Sequence, residues 1–288
     1  MATRSTERRA LLYGLTSVAL WSTVATGFKL GLRELSPAQL LLVGCLIALV
    51  FFALVRAFVT VRMSARQHLV AAGMGVVNPL AYYLILFEAY DRLPAQIVQP
   101  LNFTWAIVIA LLAIPMLRQR LPPRGWVGVF VGYAGVLVLL TRGELASFGH
   151  FDAVGVALAL ASTLLWAWYW IMTVRLGIHP VVLMLNSFAV ASVLLVIVCL
   201  TTDGLPAINW ETLGYGAWVG LVEMGVAFLL WQRALALTRH AGRVGVLIFL
   251  APFLSLVLIA TVLGEVIHPS AVAGLVLIVA GLVLARWP

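Results

Sequence analysis

Glu223 has the clearest chemical potential in this sequence, because it lies midway along an apolar run between residues 211 and 234. A carboxylate at bilayer depth is costly unless it is paired, protonated or turned to a wet cavity. Gly216, Gly220 and Ala227 fall on its face at helical spacing, which turns it towards other helices. It could contact a solute, carry a proton, or serve as a structural carboxyl bonded to neighbouring helices. Uncharged polar groups lie at comparable depth. Asn78 precedes Pro79, and Tyr82 follows one turn on. Gln96, Gln99 and Asn102 share a face of a run that contains Pro100, and Asn186 lies in a later run. The two prolines lack an amide hydrogen, so the carbonyls of Gly75 and Gln96 lose their helical partners.

Aromatic side chains accompany these groups. Trp105 continues the Asn102 stripe, while Trp166 and Trp170 share a face with Ser162 and Thr173; Trp126, Trp210 and Trp287 at run ends read as interfacial anchors. Aromatic rings facing a bundle interior can stack on flat apolar or cationic solutes, and plain packing is the alternative. The candidate binding residues are therefore Asn78, Tyr82, Gln99, Asn102, Trp105, Trp166, Trp170, Asn186 and Glu223. No catalytic or metal-binding set accompanies them. His68, His150, His179, His240 and His268 sit at run ends without HxxxH or HExxH spacing, and Cys45 and Cys199 lie inside apolar runs. Without a buried Ser-His pair, paired carboxylates or a Gly-rich phosphate loop, neither an enzyme nor a cofactor is expected. A non-transporting membrane receptor or an intramembrane enzyme is the rival from another class.

The elements that must hold these residues are membrane helices. Of 288 residues, 64% are hydrophobic and 10% charged, against roughly a quarter charged in soluble domains. The lipid bilayer is thus the solvent, and apolar runs of about twenty residues suffice to cross it. Such runs predict ten helices near 10–32, 37–57, 68–88, 93–115, 124–141, 153–175, 180–200, 211–234, 241–262 and 270–287. The first run, despite Arg4, Arg8 and Arg9 before it, reads as a retained helix rather than a signal peptide. With ten spans, fourteen of the 18 basic residues fall on the side of the termini, and eight of the 10 acidic residues on the other. Both termini are therefore expected in the cytoplasm. The net charge of +8 is explained by topology, and with no basic run longer than Arg8-Arg9 no nucleic acid is expected.

The second half echoes the first at an offset of about 145 residues. Gly128 and Gly135 match Gly274 and Gly281, Ala89 matches Ala234, Trp21 matches Trp166, and Asn78 stands where the second half has Glu223. Five spans per half make the second half enter from the opposite side, so the repeats are inverted, a common device of secondary transporters.

Several of these marks together resemble a known family. They are Trp21 and Trp166, Ser36-Pro37 and His179-Pro180, Pro252, Leu263-Gly264-Glu265, and the Gly-x6-Gly closing helices. The chain is similar to the EamA-type transporters of the drug/metabolite superfamily, with one repeat over 1–145 and a second over 146–288. The resemblance implies a ten-helix exporter of small metabolites in a bacterial inner membrane. It looks most like the branch exporting aromatic amino acids, with a multidrug or organic-cation exporter as the alternative.

Overall fold

The computed structural model describes residues 4–118, 120–142, 151–238 and 241–286. Glu144, His150, Arg239, His240 and Trp287 lie outside the described residues. The described chain is helical and contains no strand. Nine of its helices are long and apolar enough to cross a membrane. They are α1 (Thr6–Gly31), α2 (Pro37–Ala57), α3 (Ala65–Arg92), α4 (Ala95–Leu117), α5 (Pro123–Thr141), α6 (Ala153–Leu176), α7 (Pro180–Thr201), α8 (Trp210–Leu237) and α9 (Val244–Val262). A shorter apolar helix, α10 (Pro269–Ala285), follows. Leu54, Phe130 and Val257 are exposed on their helices, as an apolar solvent requires.

Side chains just outside the helices explain where they begin. Ser36 and Gln39 form a reciprocal capping box on α2, and Ser64 with Gln67 does the same on α3. Asp152 accepts from the Val154 and Gly155 amides at the start of α6, and Asn209 accepts from Thr212 at the start of α8. Imidazoles take this place before two prolines: His179 Nδ1 accepts from the Val181 amide, and His268 Nδ1 from the Ser270 amide, both at 3.3 Å. Gly264, with φ +71°, turns the chain so that Glu265 reaches the start of α4. There its carboxylate accepts from the amides of Ala95 (2.9 Å) and Gln96 (3.2 Å).

Several helices are interrupted. In α3 the helix is kinked within Val76–Ala81, where Asn78 leaves helical geometry at φ −142°, ψ 120°, as expected before a proline. In α8 a π-helical stretch covers Trp218–Val226. Thr104 breaks α4, and a 3-10 turn over Ile248–Leu250 interrupts α9. An offset of 145 carries 76–81 onto 221–226, inside the α8 stretch, and carries 104 onto 249, inside the α9 turn.

The chain forms two compact units, Met1–Thr60 with Ser192–Gly264, and Val61–Ala191 with Glu265–Pro288. Each draws helices from both halves of the sequence, and α7 contributes to both. In the first unit Ser17 of α1 donates to the Ala227 carbonyl of α8 at 2.6 Å, and Gly220 of α8 lies on the Gly44 backbone of α2. In the second unit Ser187 of α7 donates to the Ala71 carbonyl of α3 at 3.0 Å. A Cβ at Gly75 would stand 2.5 Å from the Ser187 carbonyl oxygen. The α5–α10 pair approaches as closely at two points along its length, with Gly128 against Gly281 and Gly135 against Gly274. Without a hydrophobic force between helices in lipid, such small-residue approach is a main source of packing energy.

Candidate functional site

Helices α3, α4 and α6 of the second unit bring together most of the residues singled out by sequence. The break at Asn78 buries its side chain, and one turn later the Tyr82 ring lies on the indole of Trp166, with centroids 4.5 Å apart and planes 28° from parallel. Trp166 also meets Tyr169 at 6.2 Å and 25°, and Trp170 edge-on at 5.8 Å and 78°. Tyr83 packs edge-on against Tyr82 at 4.6 Å. Asn102, near the break in α4, fixes the Tyr82 hydroxyl: its Nδ2 donates to Tyr82 Oη at 3.3 Å and to Ser162 Oγ at 3.2 Å. Tyr82 is buried, whereas Trp166, Trp170 and Asn102 keep part of their surface accessible.

Tyr169 was not anticipated from the sequence. It lies three residues after Trp166 and so shares its helical face, and that spacing was the available signal. Its hydroxyl lies against the Asn78 side chain.

Other candidates have different surroundings. Gln99 is buried and accepts from the Tyr90 hydroxyl at 2.6 Å, which ties α4 to α3. Asn186 donates to the Val182 carbonyl at 2.7 Å and its Oδ1 lies 3.3 Å from His68 Nδ1, which ties α7 to the start of α3. Trp105 opens the second segment of α4 and is half-buried. Gln96 donates from Nε2 to the Val266 carbonyl at 3.0 Å and accepts from the His268 amide at 3.0 Å.

Glu223 belongs to the first unit. It is half-buried within the π-helical stretch of α8, and its carbonyl accepts from Trp21 Nε1 at 3.4 Å. Trp21 in turn meets Trp231 at 5.4 Å and 57°. The expected face of Gly216, Gly220, Glu223 and Ala227 does not persist as one stripe, because i→i+5 bonding across Trp218–Val226 changes the register that α-helical spacing assumes.

The α3–α4–α6 cluster is built from uncharged side chains. Charges of the same unit gather at helix ends, where Arg92 bonds Glu88 at 2.7 Å and Asp152 at 3.2 Å. Glu88 is thus a partly exposed ion-pair partner at the end of α3. The Gly155 and Val154 amides, with Arg92 beyond them, hold the Asp152 carboxyl below the usual carboxylate range. A neutral aromatic wall with amide and hydroxyl groups can bind a flat solute without supplying a counter-charge.

The model of the EamA-like transporter family matches residues 8–141 and again 153–287. This chain belongs to the EamA-like transporter family. It is thus a multi-pass membrane transporter for a small molecule and not an enzyme. It is similar to the uncharacterized transporter YvbV of Bacillus subtilis, at 27% identity over 215 residues, 73% of this chain and 69% of that one. An uncharacterized transporter of Archaeoglobus fulgidus is 25% identical over 284 residues, 95% of this chain and 96% of its own length. The aromatic amino acid exporter YddG of Ancylobacter novellus is 27% identical over 189 residues, 64% of each chain. A crystal structure with 22% sequence identity has the same fold, with a TM-score of 0.69 over 99% of this chain and 97% of the other. Each of the two family matches contains an interrupted helix, α3 in the first and α8 in the second.

Proposed function

We propose that this EamA-like transporter exports amino acids, aromatic ones included, across a bacterial inner membrane by alternating access between two inverted five-helix halves. The halves are residues 1–145 and 146–288, α10 is the tenth span, and both termini are cytoplasmic. The observation that carries the reading is the stacked Tyr82–Trp166 pair with Asn102 bonded behind it. It offers an apolar face for an aromatic side chain and neutral polar groups beside it. The exporter name of the Ancylobacter relative supports the direction and the class of cargo. The helix interruptions that recur at an offset of 145 support paired halves, and the distribution of basic residues supports the topology. On this reading Asn78, Tyr82, Asn102, Trp166 and Trp170 contact the solute. Trp105 extends that surface, Gln99 and Asn186 hold its helices in place, and Glu223 lines the pathway.

An organic-cation exporter is the second reading. It is favoured by one observation, a half-buried carboxylate on the segment that contacts the Trp21–Trp231 pair. Counterflow in proteoliposomes separates the two. Radiolabelled tryptophan should exchange in the wild type, and Trp166→Ala should lose at least tenfold of that flux. Exchange of tetraphenylphosphonium in place of amino acids, lost in Glu223→Gln, would replace the first reading by the second.

A further inference from the structure

We infer that Asn78 and Tyr169 together read a hydrogen-bond donor carried on the substrate's ring, so that the site selects indole and phenol rings over plain benzene. The inference rests on the aromatic-solute reading above and deepens it. Asn78 Oδ1 and Tyr169 Oη find no hydrogen-bond partner of normal geometry among the described residues. Their residues are only 5% and 1% exposed. Buried polar atoms are almost always bonded, and an orphaned one is destabilising. Two of them face each other here, at the helix break in α3 and on the aromatic face of α6.

The chemistry of the pair narrows the ligand. Oδ1 can only accept, and a phenolic oxygen can accept or donate. The Tyr169 O–H can itself donate to Oδ1, which leaves the phenolic oxygen as a buried acceptor, so a solute group that completes the pair must bring an N–H or O–H. A carboxylate would set one acceptor against another. An ammonium would be stripped of water with no charged partner in the cluster, which is far costlier than burying a neutral donor. The pair also lies deeper than the rings beside it, since Trp166 and Trp170 retain accessible surface while Asn78 and Tyr169 do not. A ring substituent reaches such a depth when the charged end of an amino acid stays on the accessible side. Sites that bond a buried donor reject analogues lacking it strongly, whereas apolar pockets barely notice a single added hydroxyl.

Proteoliposome counterflow tests this, with unlabelled L-tyrosine, L-phenylalanine, L-tryptophan and 1-methyl-L-tryptophan competing against labelled tryptophan. In the wild type, tyrosine should compete better than phenylalanine, and tryptophan better than its N-methyl analogue, each by about 5- to 100-fold. Tyr169→Phe, which removes one hydroxyl, should shrink both ratios to within about threefold of unity, and Asn78→Leu should do the same. Each ratio is taken within one protein, so a general fall in flux cannot imitate the result. Equal competition by tyrosine and phenylalanine in the wild type, or undiminished ratios in Tyr169→Phe, would overturn the inference while leaving aromatic transport in place. Absence of competition by every aromatic amino acid would overturn the functional reading itself and this inference with it.

Discussion

Replacing Glu265 by alanine removes the acceptor for the first amides of α4, and the structure fixes both the size of the effect and where it appears. The carboxylate accepts from Ala95 N at 2.9 Å, from Gln96 N at 3.2 Å and from Gln96 Nε2 at 3.3 Å. Loss of a helix-capping acceptor costs about 0.5–2 kcal/mol, and loss of a negative charge at a helix N-terminus adds about 0.3–1 kcal/mol. The side chain is half-buried, so a combined loss of about 2 kcal/mol is reasonable, or roughly 30-fold in the local opening constant. Amide hydrogen exchange in detergent micelles measures this directly. Ala95 and Gln96 should exchange about 30-fold faster in Glu265→Ala. Val98 is an internal control, because its amide bonds to the Pro94 carbonyl instead. Glu265→Gln keeps one acceptor oxygen but points an N–H₂ group at a second donor, so one of the two amides should lose protection and the other keep most of it. If Ala95 and Gln96 exchange at wild-type rates in Glu265→Ala, the cap is not what holds this helix end.

The same substitution at two glycines should have opposite effects. A Cβ at Gly128 would stand 2.5 Å from the Gly281 carbonyl oxygen, while at Gly73 nothing lies within 4 Å. Gly128→Ala should therefore lower the thermal midpoint in detergent, at a cost of about 1–3 kcal/mol, whereas Gly73→Ala should leave it unchanged or raise it, since a mid-helix glycine is worth roughly 1 kcal/mol less than alanine. Asp152 should make the start of α6 acid-sensitive. Its carboxyl is held below its usual value by the Gly155 and Val154 amides, so its stabilising effect is complete above the unfolded value near about 3.9 and is lost as pH falls through the lowered folded value. Protection of those two amides should fall in acid in the wild type, and Asp152→Asn should show no such fall.

The spans were legible in the sequence because bilayer thickness imposes a length and a polarity on every crossing segment, and because Ser36-Pro37 and His179-Pro180 mark helix starts by local chemistry. The expected tenth span exists as an apolar helix over its described residues, Pro269–Ala285. The interruption of α3 was half visible through Pro79. That of α8 was not, since Trp218–Val226 contains no proline, and a face inferred at 3.6 residues per turn cannot survive nine π-helical residues. The bonds that Gln99 and Asn186 make were not legible, because their partners, Tyr90 and His68, lie on other helices, which spacing along one helix does not reveal. Leu263-Gly264-Glu265 stood out as a signature, yet its physical role appears only when Glu265 is seen capping a helix 170 residues away in sequence.

The uncharged walls of the α3–α4–α6 cluster also bear on what drives a solute past it. An elementary charge crossing 100 mV of membrane potential gains or loses about 2.3 kcal/mol. If the cargo is an amino acid, as proposed, a zwitterion held among Asn78, Tyr82, Asn102 and Trp166 has no net charge and borrows none from these side chains. On the proposed reading, the electric field across the membrane then does no net work on the solute's own passage through that cluster.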